Sequence, residues 1–253
     1  MMAPLACIIA CLLAASPLPG PAVDPVSHAL YQALRKGLGP ARVGEWVTYE
    51  LRGGPDRGGF WRLAVVAEQK DAKGRDAYWV ELELGEAANM VAPLVQMKML
   101  VARAGGLSKP DNVTRLILAV GLTEPQEVEA SALGAFFRPA PAQAPVEPLP
   151  ALRELHSRTG KAIRLMTAAG TVSALPVETL YRETVYERIW FSEEIPLLRI
   201  ARIEIPAVAH TMEVRDFGLN ARARMRPPRP TAPRISIEPG SAAPVVDSTL
   251  RTP

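Results

Sequence analysis

From Trp46 onward, apolar and polar residues alternate with a period of two, the repeat of a β-strand with one face turned to a core. In "WVTYELR", Val47, Tyr49 and Leu51 alternate with Thr48, Glu50 and Arg52. "RLAVVAEQ" places Leu63, Val65 and Ala67 on one side, and "AYWVELEL" sets Tyr78, Val80, Leu82 and Leu84 against Trp79, Glu81 and Glu83. "KDAKGRD" between them has the Gly74 and the charges of a hairpin turn. "LVQMKMLVA" puts Val95, Met97, Met99 and Val101 on one face, and "VTRLILAV" is a further strand. After a gap, strand character returns in "AIRLMTA", turns at Gly170, and runs on through "TVSALPVETLYRE", "VYERIWFS", "PLLRIARIEI" and "HTMEVRDFG", with Met212 and Val214 inward. Nine to eleven strands are predicted, each half-buried, with one wet and one dry face.

The departures from this rhythm define the organisation. "DPVSHALYQALRKGLG" predicts a short amphipathic helix, capped by Asp24, started by Pro25 and stopped by Gly37 and Gly39. Residues 136–150, "FFRPAPAQAPVEPLP", hold five prolines and predict a long loop, since proline cannot sit inside a sheet. "PALRELHSR" after it reads as a helical turn or two. From Arg226 the chain is rich in proline and small polar residues without an apolar period, which predicts a disordered tail over 226–253. Residues 23–225 form a single β-rich domain.

The N-terminus adds a compartment. "MMAPLACIIACLLAASPLPGPAVDP" has no charged side chain before Asp24 and an apolar run from about Leu5 to Ala15. That run is shorter than the roughly 20 residues a transmembrane helix needs. Its length and the small residues that follow predict a secretory signal peptide over 1–22, cut after Ala22. The two cysteines, Cys7 and Cys11, lie inside it, so the mature chain has no thiol for a disulfide, nucleophile or metal. Lipidation at Cys11 is the alternative.

Charge is uneven. The chain carries +3, but six arginines and two acids lie from Arg222 onward, leaving a near-neutral body. Arg222, Arg224, Arg226 and Arg229 are candidates for an anionic partner, either a surface or a protein. No nucleic-acid partner is expected, since no aromatic residues are interleaved for base stacking.

Catalytic patterns are missing. The adjacent Glu193 and Glu194 precede Pro196; in a strand they would point to opposite faces, and in a turn both would be solvated. They read as a corner between strands rather than an acid–base pair. His28, His156 and His210 have no metal-ligand spacing, and His28 and His210 read as surface residues. "RGGPDRGG" (52–59) lacks the Lys-Ser/Thr of a phosphate loop and reads as a hairpin loop. No enzyme activity, cofactor or metal is predicted. Met90, Met97 and Met99 suit either a core or an adaptable apolar surface.

The order of these segments resembles bacterial exported proteins of the lipoprotein-carrier (LolA/LolB-like) superfamily and related envelope families. The residues that carry the likeness are a helix before "GEWVTYEL", then "AGTVSALPVETL", then "IWFSEEIPLLRIARIEI" and "MEVRDFG". The resemblance implies an incomplete β-barrel, a strongly curved antiparallel sheet, in the periplasm of a Gram-negative-like bacterium. A sheet of about ten strands must curl or split to bury one face, so the fold expected is mainly β, a half-barrel with one or a few short helices.

Two functions follow. In the first, a lipid or lipidated chain is bound in a concave groove lined by Tyr49, Leu51, Val65, Tyr78, Val80, Leu82, Met97, Met99, Met212 and Val214. In the second, the core is filled, and an envelope interaction or assembly protein meets its partner through exposed edges or the arginine tail.

Overall fold

The computed structural model of the chain describes residues 41–53, 58–104, 112–136 and 155–236. The predicted signal peptide, the helix predicted over 24–39, residues 137–150 of the proline-rich loop and the tail beyond 236 lie outside the described residues.

The period-two segments are strands, in nearly the predicted places. In chain order they are β1 (Trp46–Arg52), β2 (Gly59–Lys70), β3 (Asp76–Gly85), β4 (Val95–Ala102), β5 (Val113–Val120) and β6 (Gln126–Glu127). A short helix, α1 (Ala130–Phe136), follows. Then come β7 (Leu155–Thr159), β8 (Ile163–Thr167), β9 (Gly170–Tyr181), β10 (Thr184–Phe191), β11 (Ile200–Ile205) and β12 (His210–Gly218), with a 3-10 turn at Pro206–Val208. All are antiparallel in one sheet, ordered β6-β5-β4-β3-β2-β1-β12-β11-β10-β9-β7, with β8 on the remaining length of β9. The sheet is mainly built of neighbours in sequence and is not closed into a barrel.

Register explains the principal core. Leu118, Met97, Leu82, Leu63, Val47 and Phe217 stand opposite one another across six strands, and Leu116, Met99, Val80 and Val65 form the next row. A separate row lies on the other half, where Leu51 faces Met212, Met212 faces Ile203 and Ile203 faces Ile189. The corner between β10 and β11 seals this core with Ile195, Leu197 and Leu198, and α1 adds Ala132 and Leu133. The Tyr49 hydroxyl donates to the Ile200 carbonyl at 3.0 Å, and burial drives that phenol's pKa well above its ordinary value. A closed, apolar site thus keeps one polar group because it has a partner.

The prediction of one wet and one dry face fails in the centre of the sheet. Trp79, Glu81 and Glu83, placed outward by alternation, are all buried, and β3 is covered on both sides. The segment "LHSR", read as helical, is the edge strand β7 against Val177–Tyr181. Pro176 sits inside β9 without breaking it. Its carbonyl accepts from Gly160 N at 2.9 Å, so its missing N–H points to that same side, at the gap between β7 and β8.

The β2–β3 turn is organised by Asp71. Its carboxylate accepts from Lys73 N at 2.8 Å, Arg75 N at 2.9 Å and Arg75 Nε at 2.7 Å, while Gly74 takes φ +76°. Burial alone would raise the carboxyl's pKa; the hydrogen bonds from Arg75 and Lys73, with the Arg75 charge, outweigh burial and hold it below the ordinary aspartate value. A depressed folded pKa contributes stability that is complete above the unfolded value of about 3.9 and is lost as pH falls through the folded one. Urea unfolding of Asp71→Asn should therefore show a deficit that is full at pH 7 and shrinks below about pH 4. An equal deficit at pH 3 would contradict this assignment.

Candidate functional site

Glu193 and Glu194 occupy the corner, as alternation and Pro196 predict, and they diverge. Glu193 pairs with Arg199 at 2.6 Å, largely in solvent, while Glu194 accepts from Ser173 N at 2.8 Å. Neither shares a substrate position with the other. The corner holds Leu197 and Arg199 at positive φ, 67° and 55°, a strain of about 1 kcal/mol or more each. Burial of Ile195, Leu197 and Leu198 in the core offsets it.

The ten predicted groove residues lie in the principal core cluster or pack against it. Nine of them are exposed by 5% or less, and Leu51 is half-buried against the same cluster. Met90, Met97 and Met99 are buried too. A cleft of about 440 Å³ does lie beside Leu51, between the facing ends of β1 and β2, but its lining is Glu50, Arg52, Glu86 and glycines with only Leu51 and Phe60 apolar. His210, expected at the surface, is buried where β12 starts opposite Ile205. Among the described residues no group of His, Cys, Asp or Glu could hold a metal, and no helix is long and apolar enough to cross a membrane.

The distinctive site lies on the other face of β2–β5. Side chains two apart on a strand share a face, so Glu81 and Glu83 stand together there. Register places Lys98 opposite Glu81, and Gln96 and Arg62 on either side of Glu83. Arg62 Nη1 donates to Glu83 Oε2 at 3.0 Å and Gln96 Nε2 donates to Oε1 at 2.9 Å. Lys98 Nζ lies 3.0 Å from Glu81 Oε1 as an ion pair. Both carboxylates are 1% exposed. Burying two such ions costs several kcal/mol each unless charge and hydrogen bonds are matched.

The last partner comes from far along the chain. After β12, residues 219–236 cross the sheet as a strap. It begins where Trp46 Nε1 donates to Asn220 Oδ1 at 3.1 Å and Ala221 N donates to Gly44 O at 2.8 Å. Gly44 has φ +97°, and a Cβ there would sit 2.4 Å from the Leu219 carbonyl, so this junction requires glycine. Next, Arg224 N donates to Glu81 Oε2 at 2.8 Å, and its guanidinium reaches Glu83 Oε2 at 3.2 Å and the carbonyls of Asn89 and Met90 at 2.9 and 3.1 Å. Met225 enters a second apolar cluster with Ala77, Trp79, Leu100, Ile117 and Ala119. Further on, Arg229 pairs with Glu124 at 2.8 Å. Ile235, buried in the principal core, bridges in parallel to Val128, with Ile235 N on Glu127 O and Glu129 N on Ile235 O.

This places the arginines proposed for an anionic partner. All four are exposed, but Arg224 is engaged with Glu83 and Arg229 with Glu124. It also shows that the first eleven residues of the tail predicted to be disordered, 226–236, are a placed part of the fold. The alternation in "YWVELEL" pointed to the two glutamates without indicating that anything covers them. The clue was charge complementarity: an acidic pair on one strand, with Arg62 and Lys98 at matching depth on its neighbours.

No protein-family model matches the chain and no curated protein matches it. Among solved structures it is similar to a Pseudomonas aeruginosa MucA/MucB complex, at 9% identity over 71% of this chain and 52% of that one, with a TM-score of 0.36. It is also similar to an exported protein with a YmcC-like fold from Bacteroides fragilis, at 9% identity over 71% and 97% of the two chains, TM-score 0.32. A lipoprotein from Parabacteroides distasonis gives the same identity and coverage with a TM-score of 0.31. These are likenesses of chain course, and nothing about ligand, partner or compartment rests on them.

The geometry of the strap sets unequal costs for its residues. Met225→Ala should destabilise the protein by about 2 kcal/mol, the low end for a buried methionine. Glu83→Ala, which strands the buried Arg62, should cost about 3 to 5 kcal/mol, and exposed Arg222→Ala less than about 0.5 kcal/mol. Urea titration of the three variants checks the order; equal effects at 222 and 225 would contradict the seating of Met225.

Proposed function

We propose that this chain is an exported, non-enzymatic protein of the bacterial cell envelope that works by interaction or assembly with a protein partner, its core filled by its own side chains. The observation that carries this reading is the burial of the residues expected to line a groove. A lipid or acyl chain needs a cavity of hundreds of Å³ with an apolar lining. Here Tyr49, Val80, Met97, Met99, Met212 and Val214 belong to one continuous core cluster, to which the corner and α1 also contribute. Admitting an acyl chain would mean pulling several of them apart, at about 1.5 to 3 kcal/mol for each side chain exposed. Export rests on the apolar N-terminal segment with its small residues before Val23.

The partner surface that fits this reading is the edge made by β7 and β8, which lie one after the other along β9. β7 ends the strand order, so its outer backbone groups have no strand neighbour among the described residues. Ile163 and Met166 on β8 and Leu175 on β9 are large, exposed aliphatic side chains beside it. Such an edge accepts an added strand, with main-chain bonds for affinity and side chains for selectivity. The edge is itself held firmly. Glu178 of β9 takes Arg158 of β7 on one side and Arg188 of β10 on the other, and these hydrogen bonds lower its pKa below the ordinary glutamate value.

Two measurements test the proposal. Native mass spectrometry of the chain from Val23, purified from a bacterial periplasm, should give a mass without adduct; a discrete added mass extractable as lipid would return the groove reading. A photo-crosslinking residue at Met166 should trap one discrete protein partner in cells, and the same residue at Lys73 in the β2–β3 turn should not. Identical patterns at the two positions would contradict the edge as the docking surface.

A further inference from the structure

We propose that the groove formed by Trp79, Glu81, Glu83, Leu100 and Ile117 is a peptide-recognition site, filled in cis by Arg224 and Met225, and that the same segment of a second copy of this chain enters it when the strap lifts. The site is separate from the β7–β8 edge, so this inference and the preceding one fail independently.

The groove reads three features of its occupant. Glu81 Oε2 accepts the Arg224 backbone N–H, which excludes proline at that position. Glu83 Oε2 together with the carbonyls of Asn89 and Met90 takes the guanidinium on both terminal nitrogens, a spread of acceptors that a lysine cannot span. Next to it, the apolar cluster around Trp79 takes an unbranched side chain, and Met225 is the strap residue seated there. The two carboxylates are already served by Arg62, Gln96 and Lys98, so the framework of the site belongs to the sheet and remains when the strap is away.

The strap is built to leave. Between Asn220 and Arg229 its backbone makes no strand pairing, and its described contacts with the sheet there are those of Ala221, Arg224 and Met225. Pro227, Pro228, Pro230 and Pro233 have no N–H to contribute to a ladder. Arg222, Ala223, Arg224, Arg226 and Pro227 are exposed, and within this stretch Met225 alone is buried. Lifting the stretch between Asn220 and Arg229 therefore breaks a short set of contacts, while Ile235 keeps its bridge to Val128 and its hydrogen bonds to Glu127 and Glu129. A second copy carries the identical segment, so exchange restores each of those contacts across two molecules, the economy of exchanging one element between protomers.

The test uses a labelled peptide, LNARARMRPPRP, spanning residues 219–230, titrated by fluorescence anisotropy into the intact chain and into its Arg224→Ala/Met225→Ala variant. Saturable binding to the variant, at least tenfold weaker to the intact chain, and lost when the peptide carries the same two substitutions, is the expected result. Binding to neither protein, or equally to both, overturns the proposal. Amide exchange on the intact chain needs no variant: the Arg224 amide should exchange faster than those of Glu81 and Lys98, and faster still with excess peptide. Protection of Arg224 equal to that of β3 and β4 overturns a releasable strap. Finally, the intact chain should form dimers at high concentration that the double variant does not. A strictly monomeric intact chain overturns the second copy as the occupant.

Discussion

Two carboxylates with almost no solvent, Glu81 and Glu83, are the constraint around which the rest of this structure is arranged. They stand on β3, deep in the sheet, where an ion without partners is far more expensive than any single apolar contact is favourable. The neighbouring strands meet most of that demand by register alone. Arg62, Gln96 and Lys98 sit directly across from the pair, so the correct strand alignment and the correct charge pairing are the same event. A slip of one residue would turn every one of these groups to the opposite face. The acidic pair thus pins the register of β2, β3 and β4 as firmly as the row of Leu63, Leu82 and Met97 does on the other side.

What the neighbouring strands do not supply arrives from residue 224, 143 positions away. That contact converts a surface that alternation would leave wet into an interior. Lys98 and Arg115 lie 5.7 and 5.2 Å from the Trp79 ring, so cations close the rim of the second cluster while Met225 fills it. On the other half of the sheet the β8–β9 hairpin plays a comparable part. Val172 and Ala174 share parity with Pro176, which opposes Trp190, so the hairpin leans toward the face of Arg202 and Glu213. There Ala168 N donates to Glu213, and Arg202 pairs with Glu213 and donates to the Met166 carbonyl. The centre of the sheet, at β3, is thereby covered on both faces by the chain itself.

The strands were legible because period two is a local property. β1, β5 and β12 have the bounds that alternation suggests, and the Glu193–Glu194 corner follows from Pro196. The function of the inward face was less legible, because the same pattern describes a filled core and an empty groove; only packing distinguishes them, and packing depends on the corner and α1. β7 was misread because "LHSRT" has no apolar alternation, being an edge strand exposed along most of its length. The buried state of Glu81 and Glu83 was legible only indirectly, through the opposite charges of Arg62 and Lys98 on the neighbouring strands. It depends on a segment whose composition, rich in arginine and proline, otherwise describes a solvated tail.

The central claim is that Arg224 and the buried acidic pair form one energetic unit. The most direct measurement is a double-mutant cycle between Glu83→Gln and Arg224→Gln by urea unfolding. Groups in one buried network couple by about 0.5 to 3 kcal/mol, and a coupling of at least about 0.5 kcal/mol is predicted here. Two effects that simply add, within about 0.3 kcal/mol, would contradict the account and reduce the strap to a passive cover.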